Sequence, residues 1–484
     1  MSQLKQIHAQ LAVHGLLSDT LTFSGLISFC SLNPNGDLHY ARQLFDGFTA
    51  PNRFMYNTLI RAYSNSKETK ETLETTVILI RRMMAEGLPP NNFTFPFVLK
   101  TFAEALAFLE AVLVHSMIIK TGYGSQVFVM NALLHVYVVC GRIISAHKVF
   151  DEIPIKSIVS WNSMIDGYSR LCDCTRAFSL FGVMRRLGLE PDEFSLASLF
   201  SVCAQSGNVE MGRLLHSYLL MTCNDEDLVV GNALIDMYGK CGELQSAQTC
   251  FDRMLVRNAV SWTSLICAYA KNGLLEFARK CFDQMPERTI GTWNAMIDCH
   301  VYQDCCQEAL DLYECMQSSG IIPNEATLVS VLSACSQSGN MVMGKRIHDY
   351  IVQNIANPSL TLLNSTVDMY AKCGHLDIAH SLFRLMKVKN SVSWNVVIAA
   401  SAVHGNAWDA VELFRSMVGQ GFLVDSITFI GLLSACNHGG LLDVGQHYFE
   451  AMDDVYNVAK EIEHYACMVD LFNEKDTSVE LLNC

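Results

Sequence analysis

Apolar residues recur along this chain at helical spacing, and they come in pairs of stripes. Between residues 158 and 192, Trp161, Ile165 and Tyr168 form one stripe, and Ala177, Leu180, Phe181 and Met184 form a second. Steps of three and four place side chains on one face of an α-helix. Leu171-Cys172-Asp173 separates the stripes, and Gly188 followed by Pro191 closes the second. The segment predicts two helices joined by a tight turn, each with an apolar face. A lone hairpin cannot bury both faces, so neighbouring hairpins must stack into an all-α solenoid with a concave inner surface.

The hairpin repeats. Ser-Trp-Asn or Ser-Trp-Thr stands at Trp161, Trp262 and Trp394, and Thr-Trp-Asn at Trp293, giving successive gaps of 101, 31 and 101 residues. Met-Tyr followed by Lys-Cys-Gly runs from Met237 to Gly242 and from Met369 to Gly374, and a cognate runs from Val136 to Gly141. Leu-Ser-Ala-Cys begins at Leu332 and again at Leu433. A step of 101 resolves into units of 35, 35 and 31 residues, with one extra short unit at 259–289. Cutting at the repeated starts gives thirteen units: 20–52, 53–91, 92–126, 127–157, 158–192, 193–227, 228–258, 259–289, 290–324, 325–359, 360–390, 391–425 and 426–460. Residues 1–19 read as a partial repeat, and 461–484 as the truncated start of a further segment. After Leu471 the chain is expected to leave the helical pattern.

Composition narrows the class. Half of the 484 residues are hydrophobic, far too many for a disordered chain. The most apolar stretch, Ala105 to Ile119, is broken by Glu110 and His115, which reads as a buried helix and not a membrane span. The net charge of −14 argues against loose affinity for nucleic acid but leaves room for a groove that reads bases through a few side chains. The 19 cysteines include no Cys-x-x-Cys spacing, so they read as buried thiols of a reducing compartment, with no zinc framework and no metal site. The first residues are already helical and show neither a signal-peptide core nor an Arg- and Ser-rich transit stretch. Either a targeting segment lies upstream of Met1, or the chain is expected to have none.

Helical hairpins of this length are shared by tetratricopeptide repeats, but the Leu-Gly pair of that consensus is replaced by Met164-Ile165. Here Asn follows the Trp, and units end in Pro191-Asp192 or Pro323-Asn324. With SWNSMIDGY (160–168), GNALIDMYGKCGELQSA (231–247), SWTSLICAYAKNG (261–273), LVSVLSACSQSGN (328–340) and EIEHYACMVDL (461–471), the chain resembles the pentatricopeptide repeat family. The 35/35/31 alternation resembles its plant PLS subclass, with residues 461–484 as a truncated E-type extension. The resemblance implies a right-handed superhelical solenoid in a mitochondrion or chloroplast. It also implies single-stranded RNA read one base per unit, by the fifth and last residues of each unit, with the second residue packing on the base.

Carried over unit by unit, Ser24 with Asn52 implies adenine. Asn57 with Asn91, Asn232 with Asn258, Asn294 with Asn324, and Asn364 with Asn390 imply C over U. Asn162 with Asp192, and Asn395 with Asp425, imply U. Asn131 with Ser157 implies a pyrimidine, and Thr263 with Thr289 a purine. Pro96, Ala197, Val329 and Ile430 make their units mute. Phe54, Phe128, Val159, Val229, Val260 and Val392 suit the packing role, while Gly291 and Thr361 depart from it. A single Asn in such a chain would ordinarily be a helix cap. Asn at the fifth position of seven units shifts the balance to readout. The repeated tryptophans belong to the buried stripe.

Family members with this triplet commonly act in C-to-U editing of organellar transcripts, some through a terminal deaminase marked by His-x-Glu and Pro-Cys-x-x-Cys. Neither motif occurs here, nor does a Gly-rich phosphate loop. The resemblance therefore implies no enzyme and no cofactor, but a specificity factor that recruits editing-complex proteins and a cytidine deaminase in trans. The alternatives are a splicing, processing or stabilising factor that only occupies RNA, a protein-binding scaffold, which the negative charge mildly favours, and a truncated gene copy with no activity.

Overall fold

The computed structural model of the chain describes residues 2–14, 19–33, 36–66, 69–222 and 227–482, without the side chains of 2–5, 7, 12, 69–71 and 473–482. Parts of the expected N-terminal partial repeat, of the C-terminal segment and of units 20–52, 53–91 and 193–227 lie outside the described residues. The described residues are nearly all helical and contain no strand. They fall into two compact halves, Met1–Leu255 and Val256–Cys484. Within each half, a first helix packs on its own second helix and on the first helix of the next hairpin, so each half is a stack of helical repeats.

Helix length follows unit length. The second helices Ile143–Glu152, Leu244–Arg253, Leu275–Gln284 and Leu376–Leu385, all in 31-residue units, have 10 residues. Those of the 35-residue units, such as Cys174–Arg186, Cys306–Ser318 and Met341–Asn354, have 13 or 14. The four missing residues thus amount to one helical turn removed from the second helix.

The tryptophans sit where the stripes place them. Trp161, Trp293 and Trp394 are buried. Each meets a phenylalanine of the preceding second helix edge-to-face: Phe150 at 4.9 Å, Phe282 at 4.8 Å and Phe383 at 4.9 Å. Such pairs add about 0.5–1.5 kcal/mol beyond the area they bury. A second recurring clasp joins a second helix to the following first helix through histidine Nδ1 and a tyrosine hydroxyl. It appears as His115–Tyr137 at 3.1 Å, His216–Tyr238 at 2.9 Å and His348–Tyr370 at 2.9 Å.

Turns between the paired helices demand a left-handed residue. Glycine supplies it at Gly141, Gly242, Gly374 and Gly405, but Cys172 (φ 56°) and Asp304 (φ 59°) hold the same conformation with a side chain. At the C-terminal end, the helix Ile462–Leu482 runs on through the stretch expected to leave the helical pattern. The polar residues from Asn473 onward include Glu, Lys and Asp, which disfavour an apolar face without breaking a helix.

Candidate functional site

In most hairpins the residue just before the first helix caps it, Gln126 before Val127–Val139 being an exception. Asn52, Asp192, Asn324, Asn390 and Asp425 accept the backbone N–H three residues on, at 2.9–3.0 Å. These are the last residues of their units, so the capping role and the proposed reading role fall on the same side chain. Aspartate and asparagine satisfy an otherwise orphaned N–H there, worth about 1 kcal/mol. The fifth residue lies one turn inside the helix and caps nothing.

The fold brings fifth and last residues together across adjacent hairpins. Asn162 Nδ2 donates to both carboxylate oxygens of Asp192, at 2.8 and 3.0 Å, and Asn395 Nδ2 donates to Asp425 Oδ1 at 3.0 Å. Asn294 donates to Asn324 at 3.1 Å, Asn57 to Asn91 at 3.3 Å and Asn364 to Asn390 at 3.4 Å. Asn131 donates to the Ser157 hydroxyl at 3.0 Å, and in the first unit Asn52 donates to Ser24 at 3.4 Å. Burial pushes the Asp425 carboxyl up, but the Thr428 N–H and hydroxyl and the Asn395 amide outweigh it and hold the group below its ordinary range. It stays an ionised acceptor.

Two of the sequence-derived pairs differ. Thr263 gives its hydroxyl proton to the Ala259 carbonyl at 2.7 Å, while Thr289 accepts from the Thr292 N–H, so their polar atoms turn to their own helices. Asn232 and Asn258 fall in different halves: Asn232 is buried on Leu228–Lys240, and Asn258 caps Ala259–Lys271.

One helical turn before each fifth residue stands the second residue, on the same face. Phe54, Phe128, Val159, Val229, Val260 and Val392 are between 45% and 71% exposed, unlike the buried stripe beneath them. Gly291 and Thr361 leave that ladder without an apolar side chain. Leu21, Phe93, Phe194 and Ile427 are exposed at the same position. The last three of these lie in units whose fifth residue is not polar, which is why inspection of polar pairs passed over them. A groove of about 560 Å³ is lined by Phe54 and Phe93, by the pair Asn57 and Asn91, and by Arg53 and Arg61. It combines two apolar walls, an amide pair and two cations, within the size range of small-ligand sites.

Residues nine and thirteen continue the same helix face. There Arg170 pairs with Asp166 at 2.8 Å, Lys240 with Asp236 at 2.7 Å and Lys372 with Asp368 at 3.0 Å. The cations further along this helix face are thus partly neutralised within the chain. Among the described residues no group of His, Cys, Asp or Glu is arranged to hold a metal ion, and no helix is long and apolar enough to cross a membrane.

Repeat profiles match along most of this face. The PPR repeat matches 128–158, 232–258, 260–290, 362–391 and 392–422. The PPR repeat family matches 156–205 and 288–337, and the pentatricopeptide repeat domain matches 46–105. A mitochondrial pentatricopeptide repeat-containing protein of Arabidopsis thaliana is 40% identical over 97% of this chain and 69% of its own length. The chain belongs to the pentatricopeptide repeat family. A chloroplastic Arabidopsis thaliana protein of the same description is 36% identical over 97% of this chain and 63% of its own. The pentatricopeptide chain therefore spans roughly two thirds of these two relatives. Among solved structures, the maize pentatricopeptide repeat protein PPR10 is similar at 19% identity and a TM-score of 0.48, over 95% of this chain and 72% of that one. The same protein in complex with an 18-nt psaJ RNA element is similar at a TM-score of 0.45, over 94% and 72%.

Proposed function

We propose that this chain binds single-stranded RNA base by base and serves as the sequence-reading part of an organellar C-to-U editing assembly, with the deaminase supplied in trans. The observation that carries the reading is the recurring hydrogen-bonded pair of fifth and last residues beside an exposed apolar second residue. Single-stranded bases expose a Watson–Crick edge to amides and carboxylates and a face to apolar side chains. The pairs differ in the sense that matters. A carboxylate such as Asp192 or Asp425 accepts the N3–H of uracil, whereas the side-chain amide of Asn324 can donate to the bare N3 of cytosine. The family is one of RNA-binding repeat proteins, and relatives named mitochondrial and chloroplastic support an organellar setting. The alternation of 10-residue and 13- to 14-residue second helices supports the PLS reading.

Taken in parallel with the chain, the units spell ACNYUNCRCNCUN, where N marks a mute unit. An RNA of this sequence is expected to bind at least about tenfold more tightly than one with the read pyrimidines changed to purines, as a few base contacts allow. Equal weak binding to both would leave the scaffold reading. Editing is tested separately, by sequencing organellar transcripts from a plant lacking the gene. Loss of C-to-U conversion at a site preceded by the matched sequence is the expected result, and altered splicing or transcript ends with intact conversion would favour the processing role.

A further inference from the structure

A hydroxyl at the third residue of the following unit meets five of these seven pairs, and sequence reasoning gave it no role. The hydroxyls of Thr94, Ser160, Thr327 and Thr428 donate to Oδ1 of Asn57, Asn131, Asn294 and Asn395, each at 2.7 Å, and Ser195 does the same to Asn162. All five are buried. In four of the five the hydroxyl also accepts the backbone N–H of the pair's last residue, at 3.0–3.2 Å, as half of a capping box. Its oxygen is engaged by the helix end, and its single proton has the asparagine Oδ1 as its nearest acceptor, with Oδ1 of the last residue also in reach at 2.8–3.0 Å in four of the five.

An asparagine amide has two near-identical orientations, with a donor at one end and an acceptor at the other. In Asn162 and Asn395 the neighbouring carboxylate can only accept, so Nδ2 faces it and Oδ1 faces the hydroxyl. The second N–H of Nδ2 is then left for the base, and a pyrimidine offers it the O2 acceptor. We propose that this third-position hydroxyl is the positioning group of base selection: it pins the fifth-position amide so that an N–H, and not a carbonyl, meets the RNA. The inference rests on the base-reading proposal above.

Comparison among units of the same chain supports it. All seven units with asparagine at position five are followed by serine or threonine at this place, the seventh pair being Asn232 with Ser261 in sequence. The mute units holding Pro96, Ala197 and Val329 are followed by Val129, Val230 and Leu362. Ser24, which has no amide to orient, is followed by Met55. The exception is Thr263, which is followed by Thr292, and there the hydroxyl donates to the Thr289 carbonyl of its own helix end at 2.7 Å. One unit shows the bond missing: Ser393 turns to Asn390 at 2.9 Å, and Asn364 Oδ1 is buried without a partner. Unit 360–390 is therefore expected to discriminate C from purine less sharply than unit 290–324, although both carry Asn with Asn.

The test compares the full chain with Thr428→Val and Thr428→Ser, using the matched RNA and versions with A, C or G opposite unit 391–425. Thr428→Val is expected to reduce the preference for U over purine about fivefold or more, the worth of one hydrogen bond, while binding to the purine RNA weakens little. Thr428→Ser is expected to restore it. Ser195→Ala, read opposite unit 158–192, repeats the experiment should Thr428→Val not fold. If the wild-type chain shows no preference, the base-reading proposal falls and this one with it. If the wild-type chain discriminates and Thr428→Val discriminates equally, or weakens on every RNA alike, only the positioning role is overturned.

Discussion

Asp425 does two jobs with one carboxylate: it closes the helix Ser426–His438 and holds the Asn395 amide. Changes at a reading pair must therefore be chosen to keep the cap. Asn395→Ala leaves the cap intact and removes only the amide, so it is expected to weaken matched RNA by about 1–3 kcal/mol at that base while leaving the melting temperature within a few degrees. Under the proposed reading, the exposed second residues act on every base alike. Phe54→Ala, at one wall of the groove with Asn57 and Asn91, is expected to lower affinity by about 1–3 kcal/mol whichever base stands there; titrations with all four bases opposite unit 53–91 check this. The cations at position thirteen carry no base preference. Lys240→Gln is expected to weaken all RNAs uniformly and to reduce the slope of binding against salt by about one ion.

The turns and clasps set stability at the scale of the hairpin. Cys172 and Asp304 hold left-handed backbone where comparable turns have glycine. A left-handed residue with a side chain costs about 1–2 kcal/mol, so Cys172→Gly and Asp304→Gly are each expected to raise the melting temperature, partly offset by the freer unfolded chain. The histidine–tyrosine clasps respond to pH. Burial lowers the pKa of His115 and His348 and raises that of Tyr137 and Tyr370. The unfolded chain takes up the histidine protons below about pH 6.5 and releases the tyrosine protons above about pH 10. Stability is thus expected to be full between those limits, to fall as acid moves through the lowered histidine values, and to fall again as alkali moves through the raised tyrosine values. Thermal melts of the wild type against His115→Gln and His348→Gln check the acid limb, which should flatten in the variants.

Across the whole chain, repetition is what made the fold readable. Trp161, Trp262, Trp293 and Trp394 fix the unit lengths, and the paired stripes require hairpins that cannot stand alone. What stayed hidden depended on contacts between units. Serine or threonine at the third position of a helix reads as half of a capping box, and its recurrence after every fifth-position asparagine gains meaning only when the fold sets the hydroxyl against that asparagine. Thr263 and Thr289 share the phase of a reading pair, yet their hydroxyls are taken up by their own backbone. Phe93, Phe194 and Ile427 look like core residues of mute units until the fold leaves them exposed. Under the proposed reading, their exposure offers those units a face for a base without an edge to read it.

The measurement closest to the central claim is a single recoding. Asn caps a helix as well as Asp does, so Asp425→Asn keeps the fold of unit 391–425 and exchanges only a carboxylate for an amide. The nucleotide opposite that unit is expected to change from U to C in competition binding with otherwise identical RNAs, with every other position unaffected. An unchanged preference for U, or no preference in either protein, would contradict the account.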